Sequence, residues 1–93
     1  MEITRCLTIS TAHITKETER VLSGNSYTNE LCLSVYDKAD YGWWICIDDD
    51  DIDPDTIPAD LLACIRLAHA NKCEWLCLDC DGEVLDVLPT YDW

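Results

Sequence analysis

Residues 3–10, ITRCLTIS, alternate in polarity around Ile3, Arg5, Leu7 and Ile9, the period-two pattern of a β-strand. Residues 15–23, TKETERVLS, change to helical spacing. Thr15 is placed to cap this helix, Glu17 and Glu19 favour its N-terminal end, and Gly24 stops it. After the turn chemistry of GNSYTN come two β-branched and aromatic runs, LCLSVYD at 31–37 and GWWICID at 42–48. They flank DKADY and predict a hairpin. A second helix is expected in PADLLACIRLAHANK, with Pro58 in its first turn and Asp55 or Thr56 as cap. Leu61, Leu62, Ile65, Ala68 and His69 fall on one face of that helix and Arg66 lies away from it. The helix ends near Asn71, a residue tolerated in the left-handed region. EWLCLD at 74–79 and EVLDVL at 83–88 surround Asp81-Gly82, a strong hairpin signal, and Pro89 ends the last strand. The order β-α-β-β-α-β-β predicts a single α+β domain over residues 1–93. Its sheet is mostly antiparallel with four to five strands, and both helices lie on one face.

Composition makes this a folded chain. Ninety-three residues can bury roughly 60–65% of their unfolded surface, and an apolar share of 48% with four tryptophans supplies a core. No run approaches the roughly 18 apolar residues of a membrane span, and the start MEITRCLTIS lacks the pattern of a secretory leader. Seven cysteines without a leader fit reduced thiols in a cytosolic protein better than a disulfide framework.

The net charge of −13 is unevenly distributed. Residues 1–36 nearly balance, with acids Glu2, Glu17, Glu19 and Glu30 against Arg5, Lys16 and Arg20. Residues 37–93 hold all the remaining acids and only Lys38, Arg66 and Lys72 as bases. Such a surface repels nucleic acid and anionic membranes and speeds encounter with basic partners. Its densest stretch is IDDDDIDPD at 47–55, with Asp48, Asp49, Asp50, Asp51, Asp53 and Asp55.

Three kinds of site chemistry compete for these residues. In the register of a calcium loop, Asp49, Asp51, Asp53, Asp55 and Asp60 occupy positions one, three, five, seven and twelve, but Pro54 stands where the sharp turn requires glycine. His69, Cys73, Cys77 and Cys80 have zinc-ligand types and a CxxC, yet a strand over 74–79 points Cys77 and a continued Cys80 to opposite faces. Cys77 shares a face with Trp75, as a core residue would. No metal or cofactor is therefore expected. For catalysis the available bases are His13, amid Ser10, Thr11 and Thr15 in a turn or capping network, and His69 on an apolar helical stripe. No GxSxG or phosphate-cradling glycine loop accompanies them, so no enzyme is expected.

Adjacent Trp43 and Trp44 must face opposite sides of a strand, so one is core and the other a candidate interface anchor. Tyr91 and Trp93 are expected to pin the tail to the core. Asp79, Asp81, Glu83 and Asp86 form a second acidic patch. Alternate residues of extended chain lie about 6.6 Å apart. Phosphates rise about 3.4 Å per nucleotide along one strand. Rows of carboxylates on a folded scaffold can thus stand in for phosphates in a Lys/Arg channel.

The stretches Leu7-Thr-Ile-Ser-Thr-Ala-His-Ile-Thr15, Leu78-Asp-Cys-Asp-Gly82 and Leu88-Pro-Thr-Tyr-Asp-Trp93 resemble a small family of bacterial mobile-element proteins associated with plasmids, phages and antirestriction genes. The family has no agreed activity and transfers no site residue. The resemblance implies a counter-defence role, similar to that of small acidic anti-CRISPR and antirestriction proteins, in the bacterial cytoplasm. The expected function is a non-enzymatic DNA mimic that occupies the nucleic-acid-binding surface of a CRISPR effector or restriction enzyme. It would bind neither nucleic acid nor membrane itself. Asp48, Asp49, Asp50, Asp51, Asp53 and Asp55 would meet the partner's Lys/Arg, with Asp79, Asp81 and Glu83 as a second patch and Trp43 or Trp44 as apolar anchor. The alternatives are a metal-binding or calcium-responsive module, and an antitoxin-like protein that neutralises a basic partner.

Overall fold

A computed structural model describes residues 1, 3–24, 34–38, 41–47 and 55–91. Within them the chain is α+β: β1 (Cys6–Ser10), a single 3-10 turn (Thr11–His13), α1 (Lys16–Gly24), β2 (Ser34–Lys38), β3 (Gly42–Cys46), α2 (Ala59–Ala70) and β4 (Trp75–Asp79). The four strands form one mixed sheet in the order β1-β4-β3-β2. β2 and β3 are antiparallel, with Val35 opposite Ile45, and β3 and β4 are antiparallel, with Ile45 opposite Leu76. β1 runs parallel to β4, with Leu7 opposite Leu76.

The period-two alternation sorts the strands into two faces. Ile9, Val35, Trp43, Ile45, Leu76 and Leu78 point to the helical side and join Leu22 of α1 and Leu61, Cys64, Ile65 and Ala68 of α2 in one core. Each fully buried Ile or Leu contributes about 1.5–3 kcal/mol. The stripe of α2 is shifted slightly from the expected one. Cys64 takes a buried place, whereas His69 is exposed at the helix end.

Helix ends follow local chemistry with two corrections. Thr15 caps α1, its hydroxyl accepting the Thr18 N–H at 3.3 Å. Neither Asp55 nor Thr56 is the cap of α2. Pro58 holds that position in an extended conformation and makes no side-chain cap bond. At the other end Asn71 closes the helix with φ −96°, and the left-handed residue is Lys72 with φ 59°.

The second predicted hairpin is not formed. Asp81 and Gly82 do make a turn, with the Gly82 N–H donating to the Asp79 carbonyl at 2.8 Å. Both hydrogen-bonding edges of β4 are already occupied, by β1 and β3, so residues 83–88 cannot return alongside it. They run past the end of β1 instead, where the Ser10 N–H donates to the Glu83 carbonyl at 2.9 Å. Leu85 and Leu88 then pack against the core, and the Tyr91 backbone N–H donates to the Ala12 carbonyl at 2.8 Å. Trp93 lies outside the described residues.

Gly42 is fixed by close approach. A Cβ there would lie 1.7 Å from the Leu78 carbonyl oxygen, at a φ of +155° that side chains rarely adopt. Gly42→Ala is therefore expected to cost about 3 kcal/mol or more, at the severe end for single substitutions. A urea-unfolding curve of the soluble variant checks this, and failure to accumulate folded protein has the same meaning.

Candidate functional site

The face of the sheet opposite the helices carries the chemistry. Alternation delivers Cys6, Thr8 and Ser10 from β1, Trp75, Cys77 and Asp79 from β4, Trp44 and Cys46 from β3, and Tyr36 and Lys38 from β2. Among the described residues no helix packs on this side. Tyr36 and Trp44 are 53% and 36% exposed, which is unusual for large rings on a central sheet. Tyr36 and Trp75 lie with centroids 6.0 Å apart and planes tilted by 46°, a wedge instead of a stack. Thr4, Cys6, Tyr36, Trp44 and Trp75 line an open groove of about 430 Å³.

One cation sits beside this groove. Lys38, Gly42 and Asp79 occupy one cross-strand row, and the missing side chain at Gly42 leaves room for Lys38 to reach over β3. Its ammonium lies 2.5 Å from the Asp79 carboxylate, 3.7 Å from the Cys77 sulfur and 4.7 Å from the centroid of the Trp44 ring. The hydrogen bond from Lys38, helped by the Asp81 backbone N–H, holds the Asp79 carboxyl below its ordinary pKa. The same bond raises Lys38 above its own.

Three of the described thiols are held in the protonated form by burial. Burial pushes Cys77 up despite the neighbouring ammonium, and burial also raises Cys6 against the pull of the Thr8 hydroxyl. Cys64, in the core, is pushed up to about 12, first by burial and then by Asp60. Such thiols are poor nucleophiles at neutral pH. The described cysteines (Cys6, Cys46, Cys64, Cys73, Cys77 and Cys80) are all free.

Both histidines are engaged by backbone. The Leu85 N–H donates to His13 Nε2 at 2.9 Å, so Nδ1 carries the proton and donates to the Pro89 carbonyl at 2.8 Å. His13 is thus a buried clamp on residues 83–91, in keeping with a structural network. His69 Nε2 lies 2.6 Å from the Ile47 carbonyl and ties the end of α2 to the exit of β3.

The residues singled out from sequence separate into three groups. Asp48, Asp49, Asp50, Asp51 and Asp53 lie outside the described residues. Asp55, Asp81 and Glu83 are exposed, but Asp79 is spent on Lys38. Trp43 is in the core at 8% exposure, so Trp44 is the outward member of the pair. Asp60, the twelfth position of the calcium register, instead accepts the Thr15 N–H at 2.8 Å and joins the two helices. The zinc-type set is not assembled, because His69 is on Ile47 and Cys77 lies under Lys38. Among the described residues, Asp79, Cys80 and Asp81 bring ligand atoms within 4.8 Å of one another, with Asp79 already paired. Sequence reading missed Tyr36, Trp75 and Cys6 as partners of Trp44. Their alternation was visible, but the neighbours of β4 were not.

The model of a family of unknown function (DUF5983), C-terminal domain, matches residues 6–93. The chain belongs to this family. No curated protein and no solved structure matches it. The matched span of the DUF5983 domain opens at Cys6, the first residue of β1, and takes in the His13 clamp and the segment it holds. Among the described residues no helix is long and apolar enough to cross a membrane.

The depressed Asp79 contributes stability above the ordinary carboxylate pKa and loses it as pH falls through its lowered value. The raised Lys38 contributes below the ordinary amine pKa and loses it as pH rises through its raised value. The pair is therefore at full strength across the neutral range. The melting temperature of Asp79→Asn is expected to lie below that of the wild type at neutral pH, with the gap closing on acidification through the carboxylate range. For the clamp, His13→Ala removes the partner of the Leu85 N–H and of the Pro89 carbonyl and empties a buried side-chain site, and is expected to cost about 1–3 kcal/mol. Limited proteolysis should then cut first within residues 83–91.

Proposed function

We propose that this protein is a non-enzymatic inhibitor of a host nucleic-acid-targeting defence complex, of the anti-CRISPR or antirestriction kind, acting in the bacterial cytoplasm as an acidic DNA mimic. The observation that carries the reading is the segregation of charge. Nearly all of the net −13 falls after residue 36, and it is concentrated at Asp48, Asp49, Asp50, Asp51, Asp53 and Asp55. Exposed Asp81, Glu83 and Asp86 add to it beyond the end of β4. Carboxylates in such density displace phosphates from a Lys/Arg channel and release the same counterions. The folded scaffold supports this role, because a β3 exit tied to α2 through His69 anchors the chain on which the acidic run begins. The engagement of both histidines by backbone and the protonated state of the buried thiols also suit a binding protein better than a catalyst.

The occupied surface would be basic, whether on a CRISPR effector or a restriction enzyme, and association would be fast and salt-sensitive. The test is competition with DNA for a purified defence complex at about 50 mM and about 200 mM salt. Displacement of DNA is expected at the lower concentration and should weaken at least about tenfold at the higher one. Changing Asp49, Asp50 and Asp51 together to Asn should also weaken it about tenfold. Displacement unchanged by those three substitutions would sink the acidic run as the mimic surface. Capture of a basic toxin without any effect on DNA binding would favour the antitoxin-like role instead.

A further inference from the structure

We infer that the aromatic groove on the open face of the sheet is a receptor for an arginine side chain displayed by the basic partner. This deepens the proposed function by assigning a second contact, and it rests on that function only for the identity of the chain bearing the arginine.

Among the described residues, the lining of the groove suits a cation and includes no anion. Thr4, Cys6, Tyr36, Trp44 and Trp75 line it, and none carries a charge. Three aromatic rings present faces of negative potential, the complement of a cationic head group. The net charge of −13 draws cations toward the surface, while the described lining, which has no carboxylate, spares the cost of desolvating a second fixed charge. The protein already makes such a contact within itself, with the Lys38 ammonium 4.7 Å from the Trp44 centroid. Lys38 lies over the Trp44 ring, neutralised by Asp79, and is not among the residues that line the groove with Trp44, Trp75 and Tyr36.

Shape favours guanidinium over ammonium. The 46° wedge between Tyr36 and Trp75 offers tilted ring faces on which a planar, weakly hydrated group can lie. The volume of about 430 Å³ falls in the range of pockets that enclose small organic groups, and it accommodates the methylene stem as well. Thr4, also in the lining, is a residue type that offers a neutral acceptor. An anionic or purely apolar occupant gains nothing from the ring potential, and an anionic one is opposed by the overall charge.

The test uses the full chain labelled with nitrogen-15, titrated with N-acetyl-Gly-Arg-Gly-amide and with the same peptide carrying neutral citrulline. Saturable shifts at the indole N–H groups of Trp44 and Trp75 are expected with the arginine peptide. Binding of the citrulline peptide should be weaker by about fivefold or more. Tyr36→Leu, at an exposed position, should keep a dispersed spectrum and lose most of the response, and Trp44→Leu should do the same. If Trp44→Leu does not fold, Tyr36→Leu alone decides the matter. Equal binding of the two peptides, shifts confined to the Asp81 and Glu83 amides, or an undiminished response in folded Tyr36→Leu would overturn the receptor. A Tyr36→Leu chain that loses the arginine peptide yet displaces DNA with unchanged affinity overturns the groove as a partner contact and leaves the proposed function standing. Arginine binding in the groove, with no displacement of DNA from any defence complex, supports the receptor and removes that function.

Discussion

The occupation of both edges of β4 is the constraint from which the rest of the structure follows. Trp75–Asp79 is apolar on nearly every position, with Leu76, Cys77 and Leu78 all buried, and such a strand is stable only in the interior of a sheet. Parallel β1 supplies one neighbour and antiparallel β3 the other. Leu76 and Leu78 thereby meet Leu7, Ile9, Ile45 and Trp43 in the layer on which both helices pack. The same placement keeps 83–88 from pairing with β4, and that segment passes the end of β1, where His13 clamps it at Leu85 and Pro89. Gly82 lets the chain make this passage, because a Cβ there would press on the Ile9 backbone at 2.5 Å.

A central β4 also creates the open face. It brings Trp75 next to the β3–β2 hairpin, so that Tyr36, Trp44 and Trp75 line one groove in company with Cys6. Gly42 serves this face twice. It allows β3 to approach the Leu78 carbonyl, and it clears the row across which Lys38 meets Asp79. The outcome is an uncharged aromatic surface bordered by a compensated ion pair, in a chain whose net charge is −13. Under the proposed function, the acidic charge would meet the field of a basic partner and the aromatic surface the planar heads of its arginines.

The conflict between local signals and global pairing is clearest at the turn 79–82. Asp81-Gly82 is the sequence of a hairpin turn and it does turn, with Asp79 accepting the Asp81 N–H at 2.8 Å. A turn specifies a change of direction, however, and not the strand that lies beyond it. Similarly, Asp60 was placed by spacing in a cation loop, whereas its position in the first turn of α2 brings its carboxylate to the start of α1.

Local patterning by itself determined the α+β class, the positions of both helices, the hairpin of β2 and β3, and the opposite facing of Trp43 and Trp44, because periodicity and capping act over a few residues. It also determined the acidity and its concentration after residue 36, since charge is a property of composition. Tertiary structure alone decided that β4 is central, that β1 is its parallel neighbour, and that Tyr36, Trp44 and Trp75 converge. These depend on pairings between residues far apart in the chain, and a parallel pairing leaves no turn signature to read. It also decided that Asp79 is a partner of Lys38 instead of a free member of the acidic patch. Only the fold brings Lys38 across a glycine to a carboxylate forty-one positions away.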